Sequence, residues 1–374
     1  MLYLQLMKLC YFGLYDPDFG RNKVYMHGLR AIGVEIVECR DVSRGPVKFW
    51  RLWIKHRAIV KSGGYDALIV GYPGHLLVPF AKFLAGKKPV ILDALCTLYE
   101  GEVISRGKYR FNIFMKAWVK LIDALAAKRS DIILVETNAQ KEFFMKRFSL
   151  PAGKVFRVFT GVDEEYCRRD PSVKKRDKFT AVFRGKFLPE AGIKYIVRAA
   201  KLLEHQGVEI LILGNGFLEK AIGHEIDELQ PSNLYWHHKH LDPATLYRKM
   251  QECHVSLGQF EDHERLARTI PHKAFESLAL CLPYVTGRAT GVRELLTDRK
   301  DCLMTNLADP EDIVAKILQL KNQPELAKEI GENGRRLFEE KLTSLQLAKD
   351  IRSAILASMS KNVPRSERKI ISNI

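Results

Sequence analysis

Residues 269–287 read TIPHKAFESLALCLPYVTG: Pro, His, Lys and Glu stand ahead of an apolar helix, which stops at a Pro that opens an apolar strand. Ile270-Pro271 favours an extended approach, and a Pro beside the first turn suits a helix start. A helix beginning around His272 points unpaired N–H groups and the positive end of its dipole at the space before it, where an anion can sit. Glu276 lies one turn in, close enough to accept hydrogen bonds from hydroxyls beside that anion. A phosphate flanked by a diol describes a nucleoside diphosphate. Taken alone, an apolar helix between two strands is more commonly plain core.

Two stretches upstream add to this one. In FRGKFLPEAGIKYIVRAAKLL (183–203) a strand ends at Arg184, Gly185 and Lys186, and Gly192 opens an amphipathic helix. Gly185 lets backbone approach a ligand, while Arg184, Lys186 and Lys194 are placed to neutralise phosphate oxygens. An ordinary strand–loop–helix with surface lysines reads the same way. In LILGNGFLEKAI (211–222) a strand runs into Gly214-Asn215-Gly216 and a helix. Such a turn needs glycine for steric reasons alone, so the GxG is weak by itself.

The alternation extends along the whole chain. Apolar runs fall at 8–15, 34–40, 67–73, 89–95, 131–137 and 154–160, separated by helical patterns near 21–31, 47–60, 77–86, 109–129 and 138–148. Strands buried on both faces read as continuous apolar runs, and the spacers are long enough for crossovers; both point to a parallel doubly wound sheet. The polar segment GVDEEYCRRDPSVKKRDK (161–178) interrupts the pattern, which then restarts with KFTAVFRG, VEILILG, NLYWHH, HVSLGQF, PYVTG and DCLMTN. The expected architecture is α/β: two consecutive Rossmann-like halves, with ligands where strand ends face the cleft between them. The expected division is a first domain over 1–165, a linker over 166–178 and a second domain over 179–340. A final helix over 341–360 crosses back to the first domain, ahead of a basic mobile tail over 361–374.

Bulk properties agree with a chain of two domains. The length is 374 residues, with 47% hydrophobic and 28% charged residues. No apolar run reaches the roughly 18 residues that span a bilayer, and MLYLQLMKLCYFGLY lacks the basic leader and cleavage site of a signal peptide. The first strand is expected near Lys8. Seven scattered cysteines without a CxxC pair point to reduced thiols and a cytoplasmic setting. Residues 1–165 carry 26 Lys+Arg against 16 Asp+Glu, and 166–374 carry 34 against 28, so the net +16 favours the first half. A basic surface can meet nucleic acid, anionic lipid or phosphorylated small molecules.

In order and spacing the three stretches resemble the donor-binding domain of glycosyltransferase family four, a branch of the glycosyl transferases group 1 with the GT-B fold. A Gly–Glu turn completes the pattern in TGVRELLTD (290–298), with Gly291 and Glu294. The resemblance runs over roughly 8–340 and is specific in 130–300. It implies a retaining enzyme that moves a sugar from a nucleotide-sugar co-substrate to a glycan or lipid-linked acceptor, in polysaccharide or cell-envelope glycoconjugate synthesis. No metal or other cofactor is implied, because helix N-termini and Lys/Arg stabilise the departing diphosphate. Glu276 matches the second acid of the family's paired-glutamate motif, which holds the donor ribose. The backbone of Ile270, Pro271, His272 and Lys273 would meet the diphosphate, and Lys186 stands in for the usual arginine. Two positions depart from the pattern: Arg268 replaces the first glutamate, and Ala191 replaces a lysine before Gly192. Arg268 or Lys194 is the candidate to compensate. A Glu276→Ala variant is expected to lose transfer and keep its fold.

Other constellations weigh less. Asp16-Pro17-Asp18 is a DxD of the kind that binds manganese in the other glycosyltransferase fold, but after a first strand Asp and Pro make turns. HHKH (237–240) alternates faces in a strand and has no carboxylate at ligand spacing. His75, in GYPGHL, and Asp93, closing PVILD, are expected at the cleft mouth as catalytic candidates; an idle loop histidine is as good a reading of His75. Tyr15, Arg21, Tyr99 and Arg106 are acceptor-side candidates. VKFWRLWIKHRAIVK (47–61) is a basic helix with tryptophan anchors, fit either to lie on an anionic membrane surface or to pack its tryptophans inward. The membrane reading would make the protein peripheral on the inner face of the membrane. A nucleotide-sugar epimerase shares the architecture and would need acid/base carboxylates in the cleft. A nucleic-acid-binding protein would explain the charge, yet no RNP, KH or zinc pattern is present and the cations are dispersed.

Overall fold

A computed structural model describes residues 7–43, 45–109 and 111–359. The chain divides into two compact units: Met1–Gly161 with Thr343–Ile374, and Val162–Leu342. The division thus falls between Gly161 and Val162, and the segment 162–178 groups with the second unit. The last helix groups with the first. The tail over 361–374 lies outside the described residues, as does the hexapeptide MLYLQL.

The first unit alternates β1 (Lys8–Gly13), α1 (Gly20–Ala31), β2 (Glu35–Arg40), α2 (Val47–Lys61), β3 (Ala67–Val70), α3 (Val78–Ala85), β4 (Val90–Leu95), α4 (Ile113–Arg129), β5 (Ile132–Val135), α5 (Asn138–Phe148) and β6 (Val155–Arg157). Its sheet has the order β2-β1-β3-β4-β5-β6, parallel throughout. The apolar runs become strands because both faces are covered. Leu68 and Val70 of β3, Leu92 of β4 and Ile133 of β5 are fully buried in one core with Leu77, Val78 and Ala126 from the helical segments. Each such aliphatic side chain contributes about 2 kcal/mol by leaving water. The helix expected over 109–129 begins only at Ile113, because Asn112 caps it by accepting a hydrogen bond from the Met115 amide (2.9 Å).

The second unit follows with β7 (Phe179–Arg184), α6 (Ile193–Leu202), β8 (Val208–Leu213), α7 (Glu219–Leu229), β9 (Leu234–His237), α8 (Pro243–Gln251), β10 (Val255–Leu257), α9 (His272–Ala279), β11 (Tyr284–Gly287), β12 (Leu303–Thr305), α10 (Pro310–Asn322) and α11 (Pro324–Lys341). Its order is β12-β11-β10-β7-β8-β9, again parallel. The chain leaves β7 in one direction through β8 and β9, then returns to the other side of β7 through β10, β11 and β12. The order therefore reverses between β7 and β10, and a crevice opens beyond their carboxyl ends. α12 (Ser344–Met359) packs on α1, within the first unit.

All seven cysteines are free thiols, six of them buried. No helix among the described residues is long and apolar enough to cross a membrane.

Candidate functional site

At the point where the second sheet reverses, three loops meet. The first follows β7 and carries Gly185 and Lys186; the second follows β8 and carries Gly214 and Gly216; the third leads from β10 to α9. The first two lie backbone against backbone. The Gly185 amide donates to the Leu213 carbonyl (3.0 Å) and the Phe187 amide to the Asn215 carbonyl (2.9 Å). Gly214 has φ +148°, and a Cβ there would stand 2.0 Å from the Gly185 carbonyl oxygen. Glycine at 214 is thus required by chain meeting chain, as the steric reading of GxG holds. Gly214→Ala is expected to lower unfolding free energy by at least about 2 kcal/mol, since strained backbone alone costs on the order of 1–3 kcal/mol; urea denaturation measures it.

Gly185 has a second role. A Cβ on it would lie 3.4 Å from both Cε and Nζ of Lys273, so its bareness leaves room for that amine. Lys273 is in the first turn of α9, 6% exposed, with its Nζ 4.7 Å from the centre of the Phe183 ring. Burial, and then the neighbouring Arg184, push its amine down to about 8, against weaker opposite pulls from Glu276 and Glu190. α9 starts at Pro271 with no side chain capping it, so its first amides face the same space as this amine.

Glu276 follows one turn deeper and is fully buried. Its Oε1 receives Arg184 Nη1 at 3.2 Å, His272 Nδ1 at 3.2 Å and the Tyr247 hydroxyl at 3.1 Å. Its Oε2 is equally buried and has no hydrogen-bond partner. Burial pushes the carboxyl up, but Arg184, then His272 and the Tyr247 hydroxyl outweigh it and hold the group at about 2. An ionised oxygen shut away from water without a partner is costly. It leaves one acceptor open to a hydrogen-bond donor.

The other predicted residues divide. Lys186 is exposed. Lys194 pairs with Glu261 (3.0 Å). Arg184, also expected to meet phosphate, is instead the partner of Glu276. Ile270 and Pro271 are buried and set the entry to α9, while Arg268 is half-buried in the same loop. Gly291 supports that loop: a Cβ there would come within 2.4 Å of the Thr269 carbonyl oxygen, and its amide donates to the Leu266 carbonyl (3.0 Å). Glu294 is half-buried in the turn after it. Tyr247, from α8, was not visible in sequence, where PATLYRKMQ offers one aromatic on an ordinary amphipathic helix. Tyr247 also lines a cavity of about 870 Å3 between α8 and residues 165–176. That cavity mixes Arg168, Lys174, Arg176 and Arg248 with Glu165, Asp170 and Glu252, and Arg248 Nε lies 3.8 Å from Glu252 Oε1.

In the first unit the expected open cleft positions are closed. Asp93 is fully buried and bound by Arg21 Nε at 2.7 Å; Arg21, fully buried too, also donates to the Val158 carbonyl and Thr160 Oγ1, each at 3.1 Å. A catalytic and an acceptor-side candidate thus meet as an internal ion pair, not at a mouth, because Asp93 lies within β4 with elements on both faces. His75 is buried as well, and burial drives its imidazole down to about 4, so it is neutral at physiological pH. Tyr15 is buried with its hydroxyl on Glu38 Oε2 (2.8 Å). Tyr99 lies under the Lys120 amine, 4.6 Å from the ring centre, and Arg106 pairs with Glu102. Asp16 accepts from the Asp18 amide (3.0 Å), which is a turn. His238 of HHKH stacks on Trp236 at 3.7 Å. Among the described residues no three His, Cys, Asp or Glu side chains stand together as a metal site.

The glycosyl transferases group 1 family matches residues 168–337, the stretch that holds the whole cluster around Lys273 and Glu276. This stretch is a group 1 glycosyltransferase domain. The capsular polysaccharide biosynthesis glycosyltransferase CapM of Staphylococcus aureus is 23% identical over 239 residues, 63% of this chain and 57% of CapM. The match thus takes in little more than half of CapM's length. The uncharacterized glycosyltransferase MJ1178 of Methanocaldococcus jannaschii is 25% identical across 63% of this chain and 70% of its own. Among solved structures, HepE of Anabaena, crystallised with UDP, superposes with a TM-score of 0.68 at 12% identity, covering 94% of this chain and 99% of HepE. Sucrose-phosphate synthase of Thermosynechococcus elongatus superposes with a TM-score of 0.70 at 12% identity, covering 94% and 100%. The fold is accordingly GT-B.

Proposed function

We propose that the chain transfers a sugar from a nucleotide-sugar donor, held by the second unit, to a glycan or lipid-linked acceptor taken up by the first, with retention at the anomeric carbon. One observation carries the donor half: the unpartnered Glu276 Oε2 lies one turn behind the uncapped start of α9 and the buried Lys273 amine. A nucleoside diphosphate has the matching chemistry. Its ribose hydroxyls donate to Oε2, and its diphosphate meets the first amides of α9, Lys273 and Lys186. As the bond to the sugar breaks, negative charge grows on the diphosphate oxygen, and these fixed donors stabilise it without reorganising. No metal ion has a part in this reading. Arg184 and Tyr247 act on Glu276, keeping it ionised and oriented.

An epimerase working in the same crevice would need a carboxylate able to take and return a proton near neutral pH. Glu276 is held ionised at about 2, and Glu190 is bound by Arg265 (2.5 Å). Neither suits that work, and the transferase reading is favoured.

A panel of nucleoside diphosphates and their sugars, added to the full chain during thermal unfolding, tests the donor assignment. One base is expected to stand out and to raise stability by about 2.7 kcal/mol at a hundred times its Kd. A panel in which no member shifts the transition removes the donor site. The retaining outcome is read separately, from the anomeric configuration of the product by NMR.

A further inference from the structure

α4 is apolar on two faces. Its inward face is apolar, with Val119, Ile122, Ala126 and Ala127 buried. Its outward face is apolar too: Phe111 is 94% exposed, Ile113 74%, Phe114 85%, Trp118 50%, Leu121 48% and Leu125 38%. From 114 onward these positions recur at 118, 121 and 125, the spacing of a single helical stripe. The aromatic end is held in place, since Asn112 caps the helix through the Met115 amide (2.9 Å). A continuous exposed apolar stripe of this kind marks an interaction surface. In the second unit the exposed large apolar residues, such as Leu202, Phe217 and Tyr235, are scattered among separate elements.

The charge around the stripe selects the partner. Between Phe111 and Arg129 stand Lys116, Lys120, Lys128 and Arg129 against one carboxylate, Asp123. Asp123 is buried and accepts hydrogen bonds from the Leu98 and Tyr99 amides (2.8 and 3.0 Å), so it offers nothing to the surface. Aromatic and aliphatic side chains ringed by lysines suit the boundary between acyl chains and anionic headgroups. α2, the other basic aromatic helix, also exposes apolar side chains, Trp50 at 60% and Ile54 at 48%, but its rings are engaged with one another and with a cation: Trp50 stacks on Trp53 (4.9 Å) and Arg57 covers Trp53 (4.8 Å).

We infer that the outward face of α4, led by Phe111, Phe114 and Trp118, seats the protein on an anionic lipid bilayer. The proposal concerns binding and stands independently of sugar transfer. The test is flotation of the full chain with vesicles of phosphatidylcholine alone or mixed with phosphatidylglycerol. Association with the mixed vesicles is expected, weakened by raised salt, with little on phosphatidylcholine alone. Phe111→Ser/Phe114→Ser/Trp118→Ser is expected to cut association at least tenfold at an unchanged Tm, because the replaced side chains are exposed. Lys116→Glu/Lys120→Glu is expected to abolish the preference for anionic lipid. Wild-type protein that stays unbound, or a triple-serine variant that floats like wild type, overturns the inference. So does a Trp50→Ser variant that loses binding while the α4 variant keeps it. A concentration-dependent dimer in lipid-free solution that the triple variant disrupts, with flotation unaffected, would give the face to a second copy instead.

Discussion

Glu276→Ala loses nucleotide binding by at least tenfold and also lowers the unfolding free energy by about 3 kcal/mol, because it leaves the Arg184 guanidinium without its carboxylate partner. Sequence reading alone expects the fold to be spared. The tertiary structure adds a stability cost to that expectation, since Glu276 is fully buried and anchors Arg184 at 3.2 Å. Binding isotherms and urea denaturation separate the two effects when a second variant is added. Arg184→Met/Glu276→Met removes both charges together and is expected to recover most of the lost stability, as replaced buried pairs often do. It is not expected to recover binding, because no acceptor for the ribose hydroxyls returns. A double variant that binds the nucleotide like wild type would sink the assignment of Glu276 to the donor.

Lys273→Met has the opposite sign in stability. The folded pKa of about 8 lies below the ordinary 10.5, so between those values the unfolded chain binds more protons than the folded one. Stability therefore rises as pH climbs from about 8 to 10.5, by about 3 kcal/mol over the interval. Below pH 8 both states carry the charge and the native state bears the full penalty of burying it. Removing the amine is expected to abolish this rise and to stabilise the apoprotein near neutral pH. The same variant is expected to weaken diphosphate binding more than tenfold, a charge-assisted contact being worth about 1.5–3 kcal/mol. Calorimetry in buffers of different ionisation enthalpy supplies an independent reading. At pH 8.5 the wild type is expected to take up a fraction of a proton on binding the nucleotide, and Lys273→Met none. Uptake unchanged in the variant would exclude Lys273 from the diphosphate site.

Much of this site is legible from residue order. Pro271 and Pro283 bracket α9 in the sequence, and the spacing from Pro271 to Glu276 by itself sets the carboxylate one turn inside the helix start. The GxG after β8 is legible as a turn, though what it accommodates is another loop's carbonyl. The allocation of cations is not legible. Arg184, Lys186 and Lys194 look equivalent around their glycines, yet one serves Glu276, one is exposed and one serves Glu261. Lys273, carried by sequence only as part of a backbone stretch, proves to be the buried amine. His75 and Asp93 fail in the converse way: position after or within a strand predicted an open mouth, and packing from the neighbouring elements closed it.

By itself the sequence determined the alternation of strands and helices, the two parallel sheets and the start of α9. These follow from local periodicity, from Pro and Gly at element ends, and from apolar runs that need cover on both faces. Only the tertiary structure decided which charges are spent on one another and which are left with an unpartnered atom. Arg21 and Asp93 meet across 72 residues of chain, and an electrostatic partnership depends on distance and excluded water in three dimensions, neither of which is written in the order of neighbouring residues.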